Sequence, residues 1–155
     1  MNSKNLRQLA GTIFAAAFLI GCGGGSEFEP RDLSFSPVEG DFYGDWPVQT
    51  YVVRTNAEWV AVWDQHDSLS FPPPQMPEVD FSTYTVVGVS LGWGPNGCHR
   101  LRVTQIREEE LQVRVLYQHL VPNEGSVCFL AFVPLVAFVK LPATAKQVLF
   151  AQTDG

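Results

Sequence analysis

The residues of this chain that could do chemistry are few. There are three cysteines, Cys22, Cys98 and Cys128, and three histidines, His66, His99 and His119. The stretch GPNGCHR, residues 94–100, sets Cys98 directly beside His99 in a glycine-rich turn. A thiol nucleophile needs a depressed pKa and a base close in space. If the chain is extended there, His99 points to the opposite face from Cys98, so His119 is the base that could approach it. Zinc wants four ligands, or three with an open position. The histidines and two cysteines could supply them, but no C-x-x-C or H-x-x-x-H spacing is present. A third possibility is a structural disulfide. No nucleotide-binding loop and no G-x-S-x-G element occurs, and Ser90 is followed by Leu91-Gly92 rather than by a nucleophile elbow.

The front of the chain reads as a targeting segment. Lys4 and Arg7 form a short basic region, and Leu9 to Gly21 is apolar or small without charge. That run is shorter than the roughly 20 residues a spanning helix needs and fits the apolar part of a signal peptide. It ends in Leu19-Ile20-Gly21-Cys22, which resembles the lipobox of bacterial lipoproteins. The resemblance implies cleavage after residue 21, a diacylglyceryl thioether on Cys22 and an N-acyl chain. Several acyl chains hold a protein stably at a membrane where one does not. Gly23-Gly24-Gly25-Ser26 would follow as a tether. The residue after Cys22 is Gly, not Asp, which by the same resemblance implies the outer membrane.

An exported chain meets an oxidising space, where an even number of cysteines is normally paired. With Cys22 taken by lipid, Cys98 and Cys128 remain, and a disulfide closing about 30 residues is the leading expectation. Reactive thiols and a metal site stay open beside it. Losing Lys4 and Arg7 with the leader takes the formal charge from −6 to −8. Such a domain repels nucleic-acid phosphate and anionic lipid, so neither is expected as an electrostatic partner.

These residues must be positioned by a domain of about 130 residues, enough for one core. Residues 22–33 read as lipidated cysteine and tether, and 34–46 as an irregular aromatic-bearing arm packed on a domain spanning 47–153. Val48–Arg54 is β-branched and reads as a strand. Thr55 and Glu58 form a capping box opening a helix to about Gln65–Asp67, with Trp59, Val62 and Trp63 on one stripe. The prolines at 72–74 and 77 read as a stiff extended connection. Thr85–Leu91 is apolar on both faces and reads as a central strand, followed by a turn-rich loop over Gly92–Gly97. Cys98–Ile106 and Leu111–Gln118 read as a hairpin with Glu108-Glu109-Glu110 at its solvated turn. Val127–Val133 and Leu135–Leu141 read as strands split by Pro134, which marks a bulge or an edge. Gln147–Gln152 closes the chain. The expected fold is α+β: a mostly antiparallel sheet of about six strands with one helix packed on it, preceded by a lipoprotein signal peptide.

The landmarks Val53-Arg54, Glu58-Trp59 and Trp63, then Val79-Asp80-Phe81, Thr85-Val86-Val87 through Leu91-Gly92, a glycine turn, and Pro134 with Val139-Lys140-Leu141-Pro142 resemble the PrcB C-terminal-like domain. That family takes its name from a subunit of a spirochaete surface-protease complex. The family's Thr-Gly-Gly-Tyr-type turn is replaced here by Pro95-Asn96-Gly97-Cys98-His99, where only Gly97 matches. The resemblance implies binding to an exported protease or another envelope protein, without catalysis and without a cofactor. The expected function is therefore a lipid-anchored, non-enzymatic envelope protein, anchored through Cys22. Its partner contacts are expected on the turn, at Trp93, Asn96, Gly97 and His99. The alternatives are a thiol-dependent enzyme using Cys98 with His99 or His119, and a purely structural surface lipoprotein.

Overall fold

The computed structural model describes residues 27–66 and 71–154. The expected signal peptide and Cys22 lie outside the described residues. Two very short strands, β1 (Arg31–Asp32) and β2 (Ser36–Pro37), precede β3 (Gln49–Val53), the helix α1 (Asn56–Trp63), β4 (Tyr84–Gly94), β5 (Arg100–Glu108), β6 (Gln112–Leu120), β7 (Val133–Pro142) and β8 (Gln147–Gln152). Among the described residues the fold is mostly β with one short helix. The single sheet expected from sequence is instead two four-stranded sheets, ordered β1-β5-β6-β8 and β2-β7-β4-β3. Every pairing is antiparallel except β6 with β8, which is parallel. A parallel neighbour cannot be reached by a tight hairpin. Here the chain leaves β6, crosses to the other sheet as β7, and returns as β8.

Period-2 alternation builds the layer between the sheets. Val103, Ile106, Val113 and Val115 face Val87, Val139 and Leu141, with Leu33, Phe35, Val148 and Phe150 at the margins. The second sheet is buried on both faces, as the two-sided apolar run of β4 predicts. On its far face Val86 and Phe138 meet Tyr51, Val53, Trp59, Trp46 and Val38. The capping box at the start of α1 forms as read: the Glu58 amide donates to Thr55 Oγ1, and the Thr55 amide donates to the Glu58 carboxylate. It fixes where the helix starts, so Trp59 is fully buried and its indole N–H donates to the Pro77 carbonyl at 2.8 Å.

The arm ties the two sheets together. Arg31–Asp32 pairs with the end of β5 and Ser36–Pro37 with β7, so ordered structure starts inside the stretch expected to be tether. On the other flank Arg54 donates to the carbonyls of Thr144 (2.9 Å) and Lys146 (2.8 Å), which pins the β7–β8 connection to the end of β3.

Two element assignments are corrected. Residues 92–94 are not loop but the end of β4. Gly92 adopts φ +74° where the register against β7 shifts, and Trp93 pairs with Pro134 beyond that bulge. Pro134 thus stands at a bulge, inside β7 rather than between two strands. Residues 127–132, read as strand, form no strand at all. They belong to the long β6–β7 connection.

Candidate functional site

The β6–β7 connection begins where Leu120 pairs with Arg100, at one end of the first sheet. Two devices hold it there. Cys98 Sγ and Cys128 Sγ are 2.06 Å apart, bonded, with Cα atoms at 5.5 Å. One residue to each side, the Gly97 amide donates to the Phe129 carbonyl at 2.9 Å. A Cβ on Gly97 would sit 3.4 Å from Phe129 Cβ, so the turn packs directly on the loop backbone. Asn96 shapes the turn: its Oδ1 accepts from the Cys98 amide at 3.0 Å and its carbonyl from the His99 amide at 3.3 Å. This is an Asx-type turn, the conformation that asparagine favours before glycine.

The backbone is fixed but the side chains are not covered. Val127 is 100% exposed, Leu130 98%, Phe129 86%, and Phe132 and Val121 are also exposed. Scattered apolar residues on a surface need no explanation, whereas several on one loop make it a candidate contact surface. Beside it Tyr43, Trp93, Ala131 and Phe132 line an open cleft of about 500 Å³ with almost wholly apolar walls. Trp93 is half-buried. Its ring meets Tyr43 edge-on at 5.9 Å, and its N–H donates to Asp45 Oδ1 at 3.0 Å.

His119, read as the base that could approach Cys98, pairs with His99 instead. His99 Nδ1 lies 2.9 Å from His119 Nε2, so one ring donates and the other accepts. Neither ring faces a thiol, because both nearby sulfurs are in the disulfide, and a bonded sulfur is no nucleophile. His66 is elsewhere, stacked on Trp46 at 4.3 Å with Nδ1 donating to the Trp63 carbonyl at 2.6 Å. Among the described residues no three His, Cys, Asp or Glu side chains gather closely enough to hold a metal ion.

Four of the sequence-predicted site residues therefore do converge: Trp93, Asn96, Gly97 and His99 surround the base of one tip. Asn96 and Gly97 are buttresses, His99 pairs inward with His119, and Trp93 alone of the four lines an accessible cleft. The surface itself, Val127 with Phe129, Leu130 and Phe132, was missed because VCFLAFV reads as a buried strand. A short apolar run carries no period that separates core from exposed loop. Comparison with family models, with curated proteins and with solved structures finds no match to this chain.

Proposed function

We propose that this protein is a lipid-anchored, non-enzymatic component of a bacterial envelope that binds another envelope protein, such as an exported protease, through the stapled tip. One observation carries the reading: Phe129, Leu130 and Val127 are almost wholly exposed on a backbone that a disulfide and a cross-loop hydrogen bond hold rigid. Pre-ordering a loop lowers the entropy lost on binding, and aromatic side chains on such a loop supply about 150–250 Å² of contact each.

The position of the tip favours a protein over the anchoring bilayer. The described chain starts at the opposite end of the first sheet. Phe28 lies over Lys146 Nζ at 4.3 Å, and Lys146 binds Glu108 at the far end of β5. From Arg100 to Glu108 the strand covers roughly 26 Å. Five residue steps from Cys22 to Glu27 reach at most about 18 Å. A lipid on Cys22 therefore anchors the end of the domain away from Leu130. The resemblance to the PrcB C-terminal-like domain, carried by residues of β3, α1, β4 and β7 and by Val79-Asp80-Phe81 between α1 and β4, is the ground for naming a protease as the class of partner.

The test has two arms. Mass spectrometry of the mature chain is expected to find Cys22 at the N-terminus with acyl mass added, and an unmodified residue overturns the anchor. A photo-cross-linking residue at Leu130 is expected to give a discrete protein adduct in intact cells. The same residue at Arg102, on the outer sheet face, should give none. Adducts to lipid alone, or equal adducts from both positions, overturn the protein-binding role.

A further inference from the structure

The two sheets have four edges, and three of them are blunted. β1 and β2 are two residues long, Arg-Asp and Ser-Pro, and pair with only two residues each of β5 and β7; the rest of β5 carries the charges of Arg100 and Arg102, and the rest of β7 carries Pro134 at its bulge. β3 is flanked by α1, and beyond that helix Gln65 accepts from Gln49 Nε2 at 2.8 Å. The fourth edge is different. β8 runs six residues, QVLFAQ, without a charge or a proline, and pairs with β6 on one side and with no strand on the other among the described residues. Natural sheets cover, shorten or charge such an edge because it accepts another strand. The core is also open on this flank, where Val148 and Phe150 are only half-buried.

The free edge has a definite polarity of backbone groups. The Thr153 amide donates to the Tyr117 carbonyl of β6 at 2.9 Å. Backbone groups alternate sides along a strand. Those of Ala151 and Leu149 therefore face β6 as well, while those of Val148, Phe150 and Gln152 face outward.

We propose that this edge is closed by β8 of a second copy of the chain, antiparallel about a two-fold axis at Phe150. Outward groups must meet outward groups, which restricts the register. Of the registers this allows, the one centred on Phe150 pairs all of β8: Val148 with Gln152 of the second copy, Phe150 with Phe150, and Leu149 with Ala151. It also sets Lys146 opposite Asp154, so neither end opposes like charges, although Lys146 is already bound to Glu108. No charged side chain falls inside the pairing, and a self-complementary two-fold contact is the commonest way a chain pairs with itself. The product is one continuous eight-stranded sheet, β1-β5-β6-β8 joined to its symmetry mate. This pairing uses neither Cys22 nor the apolar tip, and stands apart from the proposed function.

Sedimentation equilibrium of the full chain with Cys22→Ser is expected to show a dimer at about 100 μM, tightening as salt screens the negative charge of the two copies. Gln152→Pro removes one outward donor that only the second copy uses, and is expected to weaken the dimer at least about tenfold with an unchanged circular dichroism spectrum. Leu130→Ser at the tip is expected to leave it unchanged. In the same background Leu149→Cys with Ala151→Cys should form an inter-chain disulfide under oxidation, since opposite residues of a non-hydrogen-bonded pair stand within disulfide reach. Leu116→Cys, mid-sheet, should not. A folded chain that stays monomeric overturns the proposal. So does a dimer lost with Leu130→Ser but kept with Gln152→Pro, or another polypeptide recovered on β8 in place of the second copy.

Discussion

The Gly97 amide donates to the Phe129 carbonyl at 2.9 Å, while Phe129 as a residue is 86% exposed. One residue is thus fixed by its backbone and free at its side chain. The Cys98–Cys128 bond lies beside this contact and serves the same end. Opening the bond should cost stability through the unfolded chain, because the bridge spans 30 residues. The loop-entropy model gives about 3–4 kcal/mol. Cys98→Ser with Cys128→Ser is expected to lower the urea midpoint accordingly, and denatured, unreduced wild-type protein should show no thiol from either position by Ellman titration. Two free thiols from these positions would sink the structural role of the pair.

Trp93 separates packing from contact. Its ring touches Tyr43 and its N–H is held by Asp45, but it lines the open cleft and is not part of either core. An edge-on aromatic pair is worth about 0.5–1.5 kcal/mol. The hydrogen bond to Asp45 adds about 0.5–1.5 kcal/mol, so Trp93→Ala is expected to lower stability by about 1–3 kcal/mol, less than the roughly 3–5 kcal/mol of a core tryptophan, and to abolish the cross-link formed from position 130. Loss of several kcal/mol in a urea melt would place the ring in the structural core instead.

Acid should loosen the end of the domain where the arm enters. Glu108 is held below the ordinary carboxylate range by its hydrogen bond to Lys146 and then by Arg31. Glu109 is held down by Arg114 and Gln112, and Asp80 by Ser82 and Thr83. A carboxyl whose folded pKa lies below its unfolded value stabilises the fold above the unfolded pKa, near 4, and loses that contribution as pH falls through the folded pKa. Urea midpoints are expected to be flat from pH 7 to about 5 and to fall below about 4. Glu108→Gln should be less stable at neutral pH and show a shallower acid limb; an identical limb would mean that Glu108 plays no part.

How much of this was legible in the residues depended on whether a local rule decided the case. The Thr55–Glu58 box placed the helix start, since both partners of that motif are four residues of chain. The two-faced apolarity of β4 announced an interior strand. The division into two sheets was not legible, because it depends on where β7 goes after the β6–β7 connection, and no turn motif records a crossover. The tip was misread for a similar reason. Val127 to Val133 has strand-like residues, yet Cys128 is bound to Cys98 and Phe129 to Gly97, so the loop is held where no neighbouring strand can pair with it. Gly88 carried a signal that only the fold explains, a glycine inside a strand where another group comes close.

Gly88 pairs with Phe138 across β4 and β7, and the Phe138 ring folds over it: a Cβ on Gly88 would collide with Cδ1 and Cε1 of the ring. The ring is crowded by four others. Trp46, Tyr51, Trp59 and Phe42 each stand with their centroids 5.2 Å from it. Gly88 itself is extended backbone that alanine adopts readily, so intrinsic strand preference favours the substitution by a few tenths of a kcal/mol. Overpacking costs about 1–3 kcal/mol and outweighs it. Gly88→Ala is therefore expected to destabilise the domain despite its better strand propensity. Adding Phe138→Leu should recover part of that loss in the Gly88→Ala background while being destabilising alone, since the smaller side chain clears the methyl. A double-mutant cycle in urea reads the coupling, and strictly additive changes would mean that the ring and the glycine do not constrain each other.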